Sequence, residues 1–164
     1  MAPFQPQHPV GSDVYLDHVG WFVADLDETA ATLQRLGFVV SPENIHMNQG
    51  PDGGKQPSGT LNRLVTPGLG YLEFLAARGD TPLAAQHGKQ LARYQGLHLL
   101  AFSSSDVPAE APRLADEGFR PLEPVDMRRN VETESGVAEG RFSVLRVPPD
   151  AMAEGRVQWC GHLT

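Results

Sequence analysis

Residues 15–27 read Tyr15-Leu-Asp-His-Val-Gly-Trp-Phe-Val-Ala-Asp-Leu-Asp27, and residues 96–108 read Gly96-Leu-His-Leu-Leu-Ala-Phe-Ser-Ser-Ser-Asp-Val-Pro108. Each is an apolar run with a His near its start and an acidic residue at its end, the pattern of a strand that turns into a helix. In the first helix Leu26, Ala30, Leu33 and Leu36 form a one-sided stripe, with Asp25 placed as N-cap and Gly37 placed to end it. In the second, Val107, Ala111, Leu114 and Ala115 form the stripe, Ser105 or Asp106 can cap, Pro108 sits in the first turn and Gly118 follows. Both helices close on Gly-Phe, at Gly37-Phe38 and Gly118-Phe119. His18 and His98 are 80 residues apart and the Gly-Phe pairs 81, so one inserted residue is expected within Ser103–Ser105.

Strand-like sequence follows each helix. In the first half, 60–66 and 71–76 flank the turn Pro67-Gly68-Leu69-Gly70; in the second, 140–147 and 156–162 flank Pro148-Pro149-Asp150. Thr81-Pro82 opens a helix expected to run to about Tyr94. The chain is therefore expected to be α+β, with two βαβββ modules at about 14–78 and 96–164, a helical linker at about 79–95, and a flexible, proline-rich arm at 1–13. Ser41 to Gly59 is polar and rich in Gly, Pro and Asn, and reads as either a functional lid or a loop.

Composition narrows the function. Thirteen basic against twenty acidic residues leave a net charge of −7, unsuited to a nucleic-acid surface. The lone Cys160 excludes an internal disulfide and any multi-cysteine metal site. No apolar run is long enough to span a membrane, and the first residues lack a secretory pattern, so the expected setting is the cytoplasm. Gly50-Pro-Asp-Gly-Gly-Lys55 lacks the strand, helix and Ser/Thr ending of a phosphate loop.

Aligning the halves brings four candidate ligands to matching places: His18 and His98 in the first strands, Glu73 and Gln158 in the last. A Glu within Tyr71-Leu-Glu-Phe-Leu75 is costly to bury unpaired, so Glu73 is either a working carboxylate or the partner of Arg63 or Arg146. His8, His46, His87 and His162 read as surface or loop residues. Cys160 reads as a core thiol facing away from Gln158, and Trp21 and Trp159 as core.

Leu16-Asp-His-Val19, the Ala24-Asp-Leu-Asp-Glu-Thr29 entry to a helix ending Leu-Gly-Phe, and the closing Tyr71-Leu-Glu-Phe74 resemble the vicinal oxygen chelate superfamily, in particular its glyoxalase-like branch. This is the fold of glyoxalases, bleomycin-resistance proteins and extradiol dioxygenases. The resemblance spans about residues 14–164 and implies two βαβββ modules forming a curled mixed sheet around a central cavity. It also implies a divalent metal ion (Fe, Mn, Ni or Zn) on His18, Glu73, His98 and Gln158, with Glu73 as the proton-transfer group. Gln158 departs from the Glu more common in the family, leaving a two-His, one-carboxylate triad.

Two function classes follow. One is a metal-dependent lyase or isomerase, or an Fe(II) dioxygenase, acting on a small oxygenated molecule. The other is a metal-free small-molecule binding or drug-sequestering protein. Both imply a small-molecule ligand, no nucleic acid, no membrane, and a homodimer of the kind most common among soluble oligomers.

Overall fold

The computed structural model describes residues 8–49, 52, 54–133, 136–152 and 155–164; the first seven residues of the expected arm lie outside that range. The described chain runs β1 (Tyr15–Phe22), α1 (Leu26–Arg35), β2 (Asn44–Gln49), β3 (Lys55–Val65), β4 (Tyr71–Ala77), α2 (Pro82–Leu91), β5 (Gly96–Ser103), α3 (Val107–Asp116), β6 (Val125–Thr133), β7 (Gly136–Arg146), a 3-10 turn (Pro149–Ala151) and β8 (Arg156–His162). The fold is α+β: β-α-β-β-β occurs twice, with α2 between. The strands hydrogen-bond in the order β2-β3-β4-β1-β5-β8-β7-β6, a mixed sheet. The chain divides into two compact units. Of the described residues, the β3 unit holds those within Gly20–Val65 and Leu72–His98, and the β7 unit those within 8–19, Thr66–Tyr71 and Leu99–Thr164.

In the β3 unit, Asp25 caps α1 by accepting from the N–H groups of Asp27 and Glu28 at 2.8 and 2.9 Å. Gly37, at φ 92°, ends the helix as its sequence position predicts. Leu26 and Ala30 are buried, and Leu26 packs with Val23, Leu61, Val65, Phe74 and Ala76, with Trp21 stacked on Phe74 at 5.5 Å. Side chains alternate along a strand, so Thr60, Asn62 and Glu73 project to the opposite face of β3 and β4. Among the described residues of 41–59, most are not the loop or lid that their composition suggested. Asn44–Gln49 and Lys55–Gly59 form an antiparallel ladder, in which backbone pairing outweighs the Gly- and Asn-rich content.

In the β7 unit, β5 pairs parallel with β8, and β8-β7-β6 are antiparallel. Asp106 caps α3 through Ala109 N–H at 3.2 Å. Val107 and Leu114 bury against Leu145, Val147 and Trp159, with Phe102 packed on them. Ala101, Phe142, Val144 and Cys160 form a separate cluster. Trp159 is a core residue, as read from sequence, and Trp21 packs partly buried against the core.

The repeat runs at one offset through its first two elements. Tyr15 opens β1 and Gly96 opens β5, 81 residues on, and from the third residue onward the two strands share one burial pattern. Helices α1 and α3 keep the same spacing, and Trp21 and Phe102 each pack on their own helix cluster. No residue is inserted among the serines. The position equivalent to His18 is therefore Leu99, and His98 is equivalent to Asp17.

Candidate functional site

In the β7 unit, buried Asp17 binds two imidazoles at once: its Oδ1 lies 2.5 Å from His18 Nδ1 and its Oδ2 lies 2.6 Å from His162 Nε2. Burial alone would raise the Asp17 pKa, but hydrogen bonds from His162 and His18, with their charges, outweigh it and hold the carboxyl well below the usual carboxylate range. Asp17 is therefore the anion that orients both rings. With Nδ1–H donating a hydrogen bond to the Asp17 carboxylate, Nε2 is the nitrogen of that ring left to act as an acceptor or ligand. The ring stacks on Tyr71 at 4.3 Å. Ligand atoms of Asp17, His18 and Cys160 lie within 4.8 Å of one another. Gln158 Nε2 donates to Cys160 Sγ at 3.7 Å, so these two share a face, as residues two apart on a strand must. This corrects the expectation that Cys160 faces away from Gln158.

In the β3 unit, Glu73 is buried in a polar cluster. Asn62 Nδ2 donates to Glu73 Oε1 at 2.5 Å, and His46 Nε2 lies 3.8 Å from the same oxygen. Asn44 donates to Asn62 Oδ1 at 3.3 Å, and His46 Nδ1 meets Thr60 Oγ1 at 2.9 Å. Neither arginine suggested as a partner of Glu73 serves it: Arg63 binds Asp27 and the Ser41 carbonyl, and Arg146 binds Met127.

His98 is 1% exposed, with its ring between Phe22 at 4.8 Å and Tyr94 at 4.0 Å. Its Nε2 donates to the Tyr94 carbonyl at 2.8 Å, and its Nδ1 is buried with no hydrogen-bond partner among the described residues. His87, on α2, is also buried, stacked on Phe22 at 4.1 Å. His18 and Gln158 thus belong to the β7 unit, Glu73 and His98 to the β3 unit.

Sequence reasoning passed over Asp17, His46, Asn62 and His162. Asn44, His46, Thr60 and Asn62 carried a signal: polar residues at every second position of two paired strands mark one polar face. His46, His87 and His162 are structural or site residues rather than solvated ones.

Residues 16–160 match the family model described as a glyoxalase-like domain. Among solved structures, the chain is similar to a variant of Streptomyces coelicolor methylmalonyl-CoA epimerase in complex with 2-nitronate-propionyl-CoA, at 23% identity over 92% of this chain and 95% of that one, with TM-score 0.61. It is similar to methylmalonyl-CoA epimerase from Mycobacterium tuberculosis at 23% identity, covering 89% and 86%, with TM-score 0.57. A hypothetical protein from Staphylococcus aureus gives TM-score 0.68 at 14% identity, covering 93% of this chain and 60% of that chain. No curated protein matches the sequence significantly. No helix among the described residues is long and apolar enough to cross a membrane.

Proposed function

Because the chain belongs to the glyoxalase-like domain family, we propose that it is an isomerase-type enzyme that moves a proton on a small oxygenated molecule, with Glu73 as the group that carries the proton. The observation behind this reading is the setting of Glu73: a buried carboxylate held by an amide and beside an imidazole, while Arg63 pairs with Asp27 and Arg146 donates to the Met127 thioether. A carboxylate of that kind can accept a proton from a C–H next to a carbonyl and return it. Asn62 fixes the oxygen it binds, and His46 adds a second titratable group beside it. An epimerase, the named activity of two of the similar structures, performs proton transfer of this class.

A divalent ion suits part of the donor set. Asp17 on His18 Nδ1 is the carboxylate–histidine arrangement that presents a basic Nε2 to a metal. Within the β7 unit, His18 would hold the ion, with the amide of Gln158 as a weaker neutral donor. His98, expected as a further ligand, we read instead as a packing residue, since Leu99 holds the place equivalent to His18. When bound, such an ion polarises the substrate carbonyl and so acidifies the adjacent C–H.

The test is hydrogen exchange from D2O into methylmalonyl-CoA and into simple α-hydroxy ketones, followed by proton NMR. We expect exchange into at least one of them, slowed about 100-fold or more by Glu73→Gln. Exchange that is undiminished in Glu73→Gln would overturn the role of Glu73. The second reading, a metal-free small-molecule binder on the same fold, draws on Leu99: an aliphatic residue where the repeat calls for a ligand. Tight ligand binding without exchange would favour it.

A further inference from the structure

Arg146, the last residue of β7, lies opposite Gln158 of β8 in the antiparallel register. Phe142 and Val144 precede it on the same face and pack with Cys160, whereas Leu145 and Val147 turn to the α3 side. Arg146 therefore shares the face that carries Gln158 and Cys160. Five other arginines sit in ion pairs: Arg63 with Asp27, Arg78 with Glu43, Arg113 with Glu110, Arg120 with Asp150 and Arg128 with Glu139. Arg146 has no carboxylate among the described residues; its one hydrogen bond runs from Nη2 to the Met127 thioether at 3.3 Å. A thioether is a weak acceptor, so a half-buried, permanently charged guanidinium keeps most of its donor capacity unspent. Burial pulls the Arg146 pKa below its ordinary value, the cost of a desolvated cation that an anion would offset.

We propose that Arg146 receives a carboxylate of the bound small molecule, its planar fork meeting both oxygens beside the Gln158 amide. A single guanidinium balances a single carboxylate, and the fork matches that geometry. A phosphate dianion suits the place less well, since ionised Asp17 lies within 4.8 Å of the Cys160 thiol on which Gln158 rests. The assignment rests on the proposed enzyme only in taking this face as the ligand face; binding itself requires no turnover.

The experiment follows the Arg146 Nε–H resonance of the 15N-labelled full chain while propionate, propionamide or inorganic phosphate is added. Propionate is expected to move the resonance saturably, and the other two to act at least about tenfold more weakly. Arg146→Lys keeps the charge without the fork and is expected to weaken propionate binding about tenfold, read from the other shifting resonances. Arg146→Met should remove it. Unchanged propionate affinity in Arg146→Lys and Arg146→Met, or equal affinity for propionamide, would overturn the proposal. Propionate binding with no isotope exchange would count against the reaction alone and leave the carboxylate site standing.

Discussion

Asp17 and His162 are 145 residues apart and joined by a 2.6 Å contact between Oδ2 and Nε2, both side chains buried. That contact ties the start of β1 to the end of β8 within the β7 unit, while the other oxygen of Asp17 holds His18. Two acceptors on one short side chain thus fix two rings that sequence proximity could not both position. Removing the charge leaves two buried imidazoles short of an acceptor, so Asp17→Ala is expected to cost about 3–5 kcal/mol by urea denaturation.

The same carboxyl sets an acid limit on stability. Its folded pKa lies below the ordinary aspartate value of 3.8, so its contribution is fully present above that value and is lost as pH falls through and below it. Urea midpoints measured between about pH 6 and pH 2 should fall steeply below about pH 4. In Asp17→Asn the decline should be shallower. An identical pH profile for the two proteins would deny Asp17 this role.

Asn62 and Arg63 are neighbours on β3 that separate a buried hydrogen bond from an exposed ion pair. Asn62→Leu removes the amide donor to Glu73 in a buried setting and is expected to cost about 1–3 kcal/mol. Arg63→Met loses its pair to the exposed Asp27 and should cost about 1 kcal/mol or less. A larger cost for Arg63→Met than for Asn62→Leu would show that the Asn62–Glu73 hydrogen bond carries little of the stability of β3.

The repeat was legible because its signals are local: a stripe at helical spacing, a capping Asp and a glycine that must take positive φ at 37 and again at 118. The pairing of Asp17 with His162 was not, since nothing local links residues 145 positions apart. The equivalence of His98 and His18 was hard to read for a different reason. Strand parity reverses with a single residue, so an offset of 80 and one of 81 name opposite faces, and only the burial of both strands decides between them. Glu73 and its place on β4 were readable, but its partners were not, because they come from β2 and β3.

Gly59 carries φ +91°, and a Cβ there would collide with the side chain of Thr81, the N-cap of α2. Thr81 Oγ1 also donates to the Ser58 carbonyl at 2.7 Å, so the cap and the β3 backbone are fitted to each other. Gly59→Ala therefore combines backbone strain with displacement of a cap, and is expected to cost about 2–4 kcal/mol. Thr81→Ala in the same background should recover part of the loss by making room, a coupling that a double-mutant cycle in urea would reveal. Strictly additive effects would show that the close approach is not what requires glycine.

The metal question turns on His18 against His98. His18 is held through Nδ1 by an ionised carboxylate, the arrangement that serves a ligand, whereas His98 is stacked between two aromatic rings and donates to a carbonyl four residues back. Protein purified without chelator and loaded in turn with Mn(II), Fe(II), Ni(II) or Zn(II) should therefore lose bound metal in His18→Ala, by about tenfold in affinity or more. His98→Phe preserves the stack and removes a buried nitrogen that lacks a partner, so it should retain both metal content and, within about 1 kcal/mol, stability. Loss of metal from His98→Phe with the fold intact would restore His98 as a ligand. Equal metal content in the wild type and in His18→Ala would instead leave Asp17, His18 and His162 as a self-contained network.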